Sequence, residues 1–169
     1  MTSTTKTDQF IAVVETNKRV IYKVANSYCR RTDDREDLVQ EIITQLWRSF
    51  DKYNREYKPS TWIYRISLNV AISFYRKDNR RKKITNPLHE SILNLPDEKS
   101  EAETDANLNL LQQFILELKE LDRALMLLYL EEKSHKEISE IMGITETNVA
   151  TKIGRIKILL KKKFESIKF

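Results

Sequence analysis

The sequence predicts an all-α protein: two small helical domains joined by a flexible linker, the second containing a helix-turn-helix. Three observations carry this. The 169 residues include only two Gly and three Pro, so helix breakers are scarce. No run alternates apolar and polar residues for long enough to mark a strand. Apolar residues recur at helical spacing in two long blocks, and the pattern vanishes between about Ile84 and Ala106.

A first helix is expected from about Asp8 to Arg30, with Phe10, Val14, Ile21, Val24, Ala25 and Tyr28 as its apolar face. "RTDDRED" ends it, and Thr32, Asp33 or Asp34 can cap the next helix. That helix carries Leu38, Ile42, Leu46 and Phe50 at four-residue spacing, widened by Val39, Ile43 and Trp47. Its polar edge presents Asp37, Gln40, Glu41, Thr44 and Arg48.

After the polar loop "DKYNREYKPS", Ser60 or Thr61 is expected to cap a third helix running to about Lys82. Ile63, Ile66, Val70 and Phe74 are its expected buried stripe, with Tyr64 and Tyr75 core or partly buried. Arg65 and Arg76 stand eleven residues apart, three turns with almost no angular drift, and Asn69 lies one turn from Arg65. One face should therefore gather basic and amide groups away from the core. Trp62 follows Pro59-Ser60-Thr61 at the helix start, where a ring beside positive charge can stack on an unpaired base.

Residues 84–107 are expected to be a linker, with two Pro and scattered acids. Leu108, Leu111, Ile115 and Leu118 mark the next helix, and Leu121, Leu125 and Leu128 another. Ser134 followed by Glu137 is a capping-box signature opening a short helix with Ile138, Ile141 and Met142 inward. Gly143 ends it, and Thr145 can cap the last helix. There Val149, Ile153, Ile156 and Leu160 face inward, while Asn148, Thr151, Lys152 and Arg155 face outward together. Short helix, Gly turn and a second helix with a polar, basic outer face make a helix-turn-helix. Asn148 and Thr151 suit base edges, and Lys152 and Arg155 suit bases or phosphates. Lys157, Lys161, Lys162 and Lys163 lie further along, toward phosphates, solvent or an acidic partner.

Net charge is +5, but its distribution says more. Arg76–Lys83 holds six basic residues and one acid, Lys152–Phe169 seven and one, while Glu90–Asp105 holds six acids and one base. The single cysteine, Cys29, allows no intrachain disulfide, and no metal cluster can be built with His89 and His135, so neither metal nor cofactor is expected. The absence of a signal core and of a membrane-length apolar run points to a cytoplasmic protein. No phosphate loop and no nucleophile with a partner His appear, so an enzyme is not expected.

"DREDLVQEIITQLW", "PSTWIYRISLNVAISFYRKDNRRK" and "LKELDRALMLLYLEEKSHKEISEIMGITETNVATKIGRIK", in this order, resemble the extracytoplasmic-function (ECF) sigma factors of bacterial RNA polymerase, within the sigma-70 superfamily. The resemblance implies a promoter-melting domain (sigma region 2) over 1–83, a linker over 84–107, and an upstream-element domain (sigma region 4) over 108–169. It implies that Asp37, Gln40 and Glu41 dock on the clamp coiled coil of the polymerase largest subunit. Trp62, Arg65, Asn69 and Arg76 would meet the minus-ten element, whose non-template strand becomes single. The helix-turn-helix would bind the minus-thirty-five duplex through Asn148, Thr151, Lys152 and Arg155. The linker is expected to thread toward the RNA exit path. Core RNA polymerase, including the flap of its second-largest subunit, promoter DNA and an anti-sigma factor are the partners the family implies. Ala150 and Gly154 depart from relatives that carry a cation and a bulkier residue there. A stand-alone helix-turn-helix regulator is the alternative, and it leaves "DLVQE" and "PSTW" without a role.

Overall fold

The computed structural model describes residues 5–53, 55–85 and 103–167. Among them there are eight α-helices, one turn of 3-10 helix and no strand. The chain divides into two compact units, Met1–Arg76 and Lys77–Phe169. Of the expected linker, 84–85 close one helix and 103–107 open another, and 86–102 lie outside the described residues.

The first unit begins with α1, Lys6–Thr16, and α2, Lys18–Tyr28, where the sequence predicts one continuous helix. Thr5 and Asp8 form a reciprocal capping box that starts α1 ahead of the expected residue. The break falls at Asn17 (φ −113°, ψ 19°), whose side-chain amide donates to the Val13 carbonyl at 2.9 Å. Just before it, the Thr16 hydroxyl donates to the Ala12 carbonyl at 2.8 Å. Such short polar side chains compete with the backbone for its own acceptors, which weakens a helix from within. Apolar periodicity does not register that competition.

Helix α3, Thr32–Ser49, starts at Arg31 with no side-chain cap. Asp33 and Asp34 instead occupy its first turn, where their charge complements the helix dipole. Its stripe is buried as expected at Leu38, Ile42 and Leu46, each fully inaccessible, while Trp47 stays exposed. A 3-10 turn, Phe50–Lys52, leads into the loop before α4, Pro59–Thr85. Pro59 takes the first helical position, where its missing N–H costs nothing, so the expected cap at Ser60 or Thr61 is not what opens this helix. Thr61 is buried.

The stripe of α4 is rotated from the predicted one. Ile63, Tyr64, Leu68, Ala71 and Ile72 are buried, with Ser67 among them, whereas Ile66, Val70 and Phe74 are half-buried. Apolar residues surround much of this helix, so periodicity offers two neighbouring stripes. The small residues Ser67 and Ala71, both fully buried, lie on the side that becomes the core.

In the second unit α5, Glu103–Glu117, and α6, Glu120–Leu130, meet at a corner. Leu108 and Leu121, counted inward by spacing, are exposed; Phe114, Leu118, Ala124 and Met126 are buried. Met142 is half-buried rather than core. Arg123 is only 2% exposed. Its guanidinium donates to the Leu116 carbonyl and, at 3.4 Å, to that of Leu118, which ties off the end of α5. Apolar spacing carries no sign of a buried arginine. Helix α8, Glu146–Ile167, packs against α5, α6 and the short α7, His135–Met142.

Arg123→Met fills the same space without donors and leaves buried carbonyls unsatisfied, at about 1–3 kcal/mol. The urea midpoint followed by circular dichroism is expected to fall accordingly; an unchanged midpoint would mean that the corner does not need this capping.

Candidate nucleic-acid interface

Three exposed faces gather the residues singled out by the sequence. The first lies on α3, where Asp37, Gln40, Glu41, Thr44 and Arg48 are all exposed, opposite Leu38, Ile42 and Leu46. Gln45 donates to the Glu41 carboxylate at 3.3 Å, and the Thr44 hydroxyl donates to the Gln40 carbonyl at 2.8 Å. The edge is acidic and amide-rich, suited to a basic protein surface.

The second face lies on α4. Arg65, Asn69 and Arg76 are exposed, and Ser73 and Arg80 continue the same line at helical spacing. Trp62 is half-buried at the start of this line. Its ring lies 4.7 Å from Tyr53 and 6.1 Å from Phe50, centroid to centroid. Phe10 joins the group edge-on, 5.4 Å from Phe50 and 5.0 Å from Trp47. The helix start is thus footed on rings from α1, α3 and the 3-10 turn. Outside them Lys6 covers Trp47 at 4.7 Å and pairs with Asp51 at 2.8 Å. In the loop, the Tyr53 hydroxyl donates to the Tyr57 carbonyl at 3.0 Å. Burial pushes that hydroxyl's pKa up and Arg55 partly offsets the rise, so it stays a donor across the physiological range. The Arg65 guanidinium carbon stands 6.0 Å from the centre of the Tyr57 ring. Neither Tyr57 nor the line's extension through Ser73 was singled out by the sequence; the spacing from Asn69 to Ser73 was the available signal.

The third face is the helix-turn-helix. The Ser134 hydroxyl accepts the Glu137 N–H at 3.1 Å and opens α7. Gly143 closes it in the left-handed conformation, φ 71°, with its N–H on the Ser139 carbonyl at 2.9 Å. Ile144 donates to the same carbonyl at 3.3 Å, a Schellman-type close. Thr145 then caps α8, its hydroxyl accepting the Asn148 N–H at 3.1 Å. Val149, Ile153, Ile156 and Leu160 are buried, so Asn148, Thr151, Lys152 and Arg155 stand together in solvent. Two of the later lysines have structural partners. Lys157 lies 4.2 Å from the Tyr129 ring centre, and Lys163 pairs with Glu117 at 2.6 Å beside Phe114. Among the described residues no His, Cys, Asp or Glu cluster could hold a metal ion, and no helix is long and apolar enough to cross a membrane.

An acidic edge on α3, a cationic line on α4 and a helix-turn-helix over α7 and α8 fit a transcription factor of the sigma class, and the family matches show that class. The family described as Sigma-70 region 2 matches residues 13–81, and Sigma-70 region 4 matches residues 108–160. The chain belongs to the extracytoplasmic-function group of the sigma-70 family. It is 29% identical to the ECF RNA polymerase sigma factor SigW of Bacillus subtilis (strain 168), over 95% of this chain and 91% of that one. It is 29% identical to the RNA polymerase sigma factor SigV of the same organism, over 89% of this chain and 88% of SigV. Among solved structures, the sigma factor RpoE, crystallised with the anti-sigma factor NepR from Bartonella quintana, shares the fold. The TM-score is 0.65 at 17% identity, over 93% of this chain and 97% of that one. CnrH, solved with the cytosolic domain of CnrY, gives a TM-score of 0.65 at 18% identity, over 93% and 88%.

The two glycines make opposite predictions. An added Cβ meets nothing within 4 Å at either, so backbone conformation alone decides. Gly143→Ala is expected to cost about 1–2 kcal/mol, because φ is positive there. Gly154→Ala, inside α8, is expected to gain about 1 kcal/mol. Thermal unfolding of both variants checks the pair, and shifts of the same sign would contradict it.

Proposed function

We propose that this chain binds core RNA polymerase and directs it to promoters, reading a minus-thirty-five element as duplex and opening a minus-ten element. The observation that carries this is the presence of regions 2 and 4, in order, in one chain. A stand-alone helix-turn-helix regulator leaves the whole of residues 13–81 without a task.

Each face takes a role. Asp37, Gln40 and Glu41 dock on the clamp coiled coil of the largest subunit, and their exposure opposite a buried stripe supports this. The second unit engages the flap of the second-largest subunit. Asn148, Thr151, Lys152 and Arg155 enter the major groove of the upstream element. Arg65, Asn69 and Arg76 track the minus-ten strand, with Trp62 beside it. Opening costs about 0.6–2.2 kcal/mol per stacked step, and each base held on a ring recovers about 1–3 kcal/mol. A few captured bases therefore balance a short opening while polymerase holds the rest. The work is binding and strand separation in the cytoplasm, with no covalent step of its own and no cofactor. RpoE was crystallised with an anti-sigma factor; a similar regulator of this chain would cover the faces that polymerase and DNA need.

The deciding experiment is in-vitro transcription with core polymerase and fragmented genomic DNA from the source organism. Start sites sharing two spaced elements are expected, and starts no different from those of core enzyme alone would reject the role. Arg155→Ala is expected to weaken upstream-element binding by about 10-fold or more, since a base-directed arginine is worth about 1–3 kcal/mol. Band-shift titration of the assembled complex measures it, and equal affinity would remove Arg155 from the contact. Gln40→Ala with Glu41→Ala is expected to lower core affinity by about 10-fold with upstream-element sequence preference intact. Unchanged affinity in a fluorescence-anisotropy titration would reject the docking edge.

A further inference from the structure

A third basic block in the chain has no part in the faces described above. Residues 18–31, "KRVIYKVANSYCRR", carry five basic residues and no acid. They form α2 and the turn that follows it. Burial of Ile21, Val24, Ala25 and Tyr28 turns Arg19, Tyr22 and Asn26 outward together, at helical spacing. Arg30 and Arg31 follow just past the helix end, and both are exposed. Among the described residues no ion pair engages Arg19, Arg30 or Arg31. The next acids along the chain, Asp33 and Asp34, lie in the first turn of α3, where the helix N-terminus takes up their charge.

Two contacts suit this face to an anion. Arg35 of α3 donates to Asn26 Oδ1 at 3.4 Å, which adds a cation and leaves the amide N–H groups for an outside acceptor. Lys18 stands 5.9 Å from the Tyr22 ring centre, at the margin of a cation–π contact, so its charge is hardly engaged. Guanidinium, amide and phenol groups all hold phosphate oxygens well. At 1.5 Å per residue the 11 residues of α2 span about 16 Å, the axial length of about five phosphates of one DNA strand.

Position supplies the partner. The Tyr28 ring meets the Tyr75 ring edge-on at 6.0 Å, which sets the C-terminal end of α2 beside α4, next to Arg76. The α2 block therefore adjoins the α4 line at its Arg76 end, far along the helix from Trp62. An acidic protein surface would match the charge but not this continuity with the promoter-facing line. We propose that Arg19, Arg30 and Arg31, with Tyr22 and Asn26, grip backbone phosphates of the paired DNA that flanks the opened segment. This rests on the promoter role above and adds a duplex contact to the first unit. The grip is indifferent to base sequence and is screened by salt.

The test uses the full chain assembled with core polymerase, on a promoter mapped as above. Binding is titrated over a range of salt for the native chain, for a variant combining Arg19→Gln, Arg30→Gln and Arg31→Gln, and for one with the same residues changed to Lys. The glutamine variant is expected to bind duplex promoter about 10-fold or more weaker, with the slope of log affinity against log salt flatter by about 2–3, because fewer counterions are released. The lysine variant keeps the charges and is expected to stay within about 2-fold of the native chain. On a single-stranded minus-ten oligonucleotide with no flanking duplex, all three chains are expected to bind alike, with equal core affinity. An unchanged salt slope on the duplex overturns the inference. So does an equal loss on the single strand, which would put the block on the opened segment. A loss matched by lost core affinity also overturns it, and would make the block a contact to an acidic polymerase surface. If the native chain forms no promoter complex with core enzyme, the proposed function falls first and this contact with it.

Discussion

Burial of one stripe fixes the direction of the opposite one, and each functional face of this protein depends on that rigid link. On α8, Val149, Ile153, Ile156 and Leu160 are driven out of water. A helix advances 100° per residue, so Asn148, Thr151, Lys152 and Arg155 have no freedom to turn away from solvent. The same holds on α3 and α4. Asp37, Gln40 and Glu41 are displayed because Leu38 and Ile42 are inside, and Arg65 and Asn69 because Tyr64 and Leu68 are. Hydrophobic burial is non-directional, but a helix converts it into orientation.

Helix ends supply the remaining precision. Ser134, Gly143 and Thr145 satisfy the backbone groups that α7 and α8 leave open within a dozen residues. Arg123 plays the matching part at the α5–α6 corner, with the added requirement that its charge be buried. An arginine tolerates that position because a row of helix-end carbonyls faces it, a partial negative charge of the right sign.

The aromatic group of the first unit joins structure to function most directly. Phe10, Phe50, Tyr53 and Trp62 link α1, the 3-10 turn, the loop and α4 through edge and tilted contacts. The exposed cationic side of α4 therefore has a stiff foundation at its N-terminal end. Segregated charge complements it, with the acidic edge on α3 and the cationic line on α4 suited to partners of opposite sign. The α3 edge and the α4 line thus present opposite charge to solvent.

Much of this was legible in the residues alone. Helical class, the helix-turn-helix, the α3 edge and the outer face of α8 follow from spacing, caps and one glycine, all local properties that a chain carries with it. The likeness to sigma factors was also readable, because three blocks in order constrain far more than any one. Local rules stopped where neighbours decide. The break at Asn17 needed the competition between side-chain and backbone donors to be resolved. The core side of α4 lies on one of two neighbouring apolar stripes, and in the second unit, separately, Leu108 and Leu121 stay outside while Arg123 is inside. The partial burial of Trp62 and the exposure of Tyr57 belong to the same class. Sequence periodicity states which residues can share a face, and only the packed partners determine which of several possible faces is withdrawn from water, because burial is a property of two surfaces and a single helix supplies one.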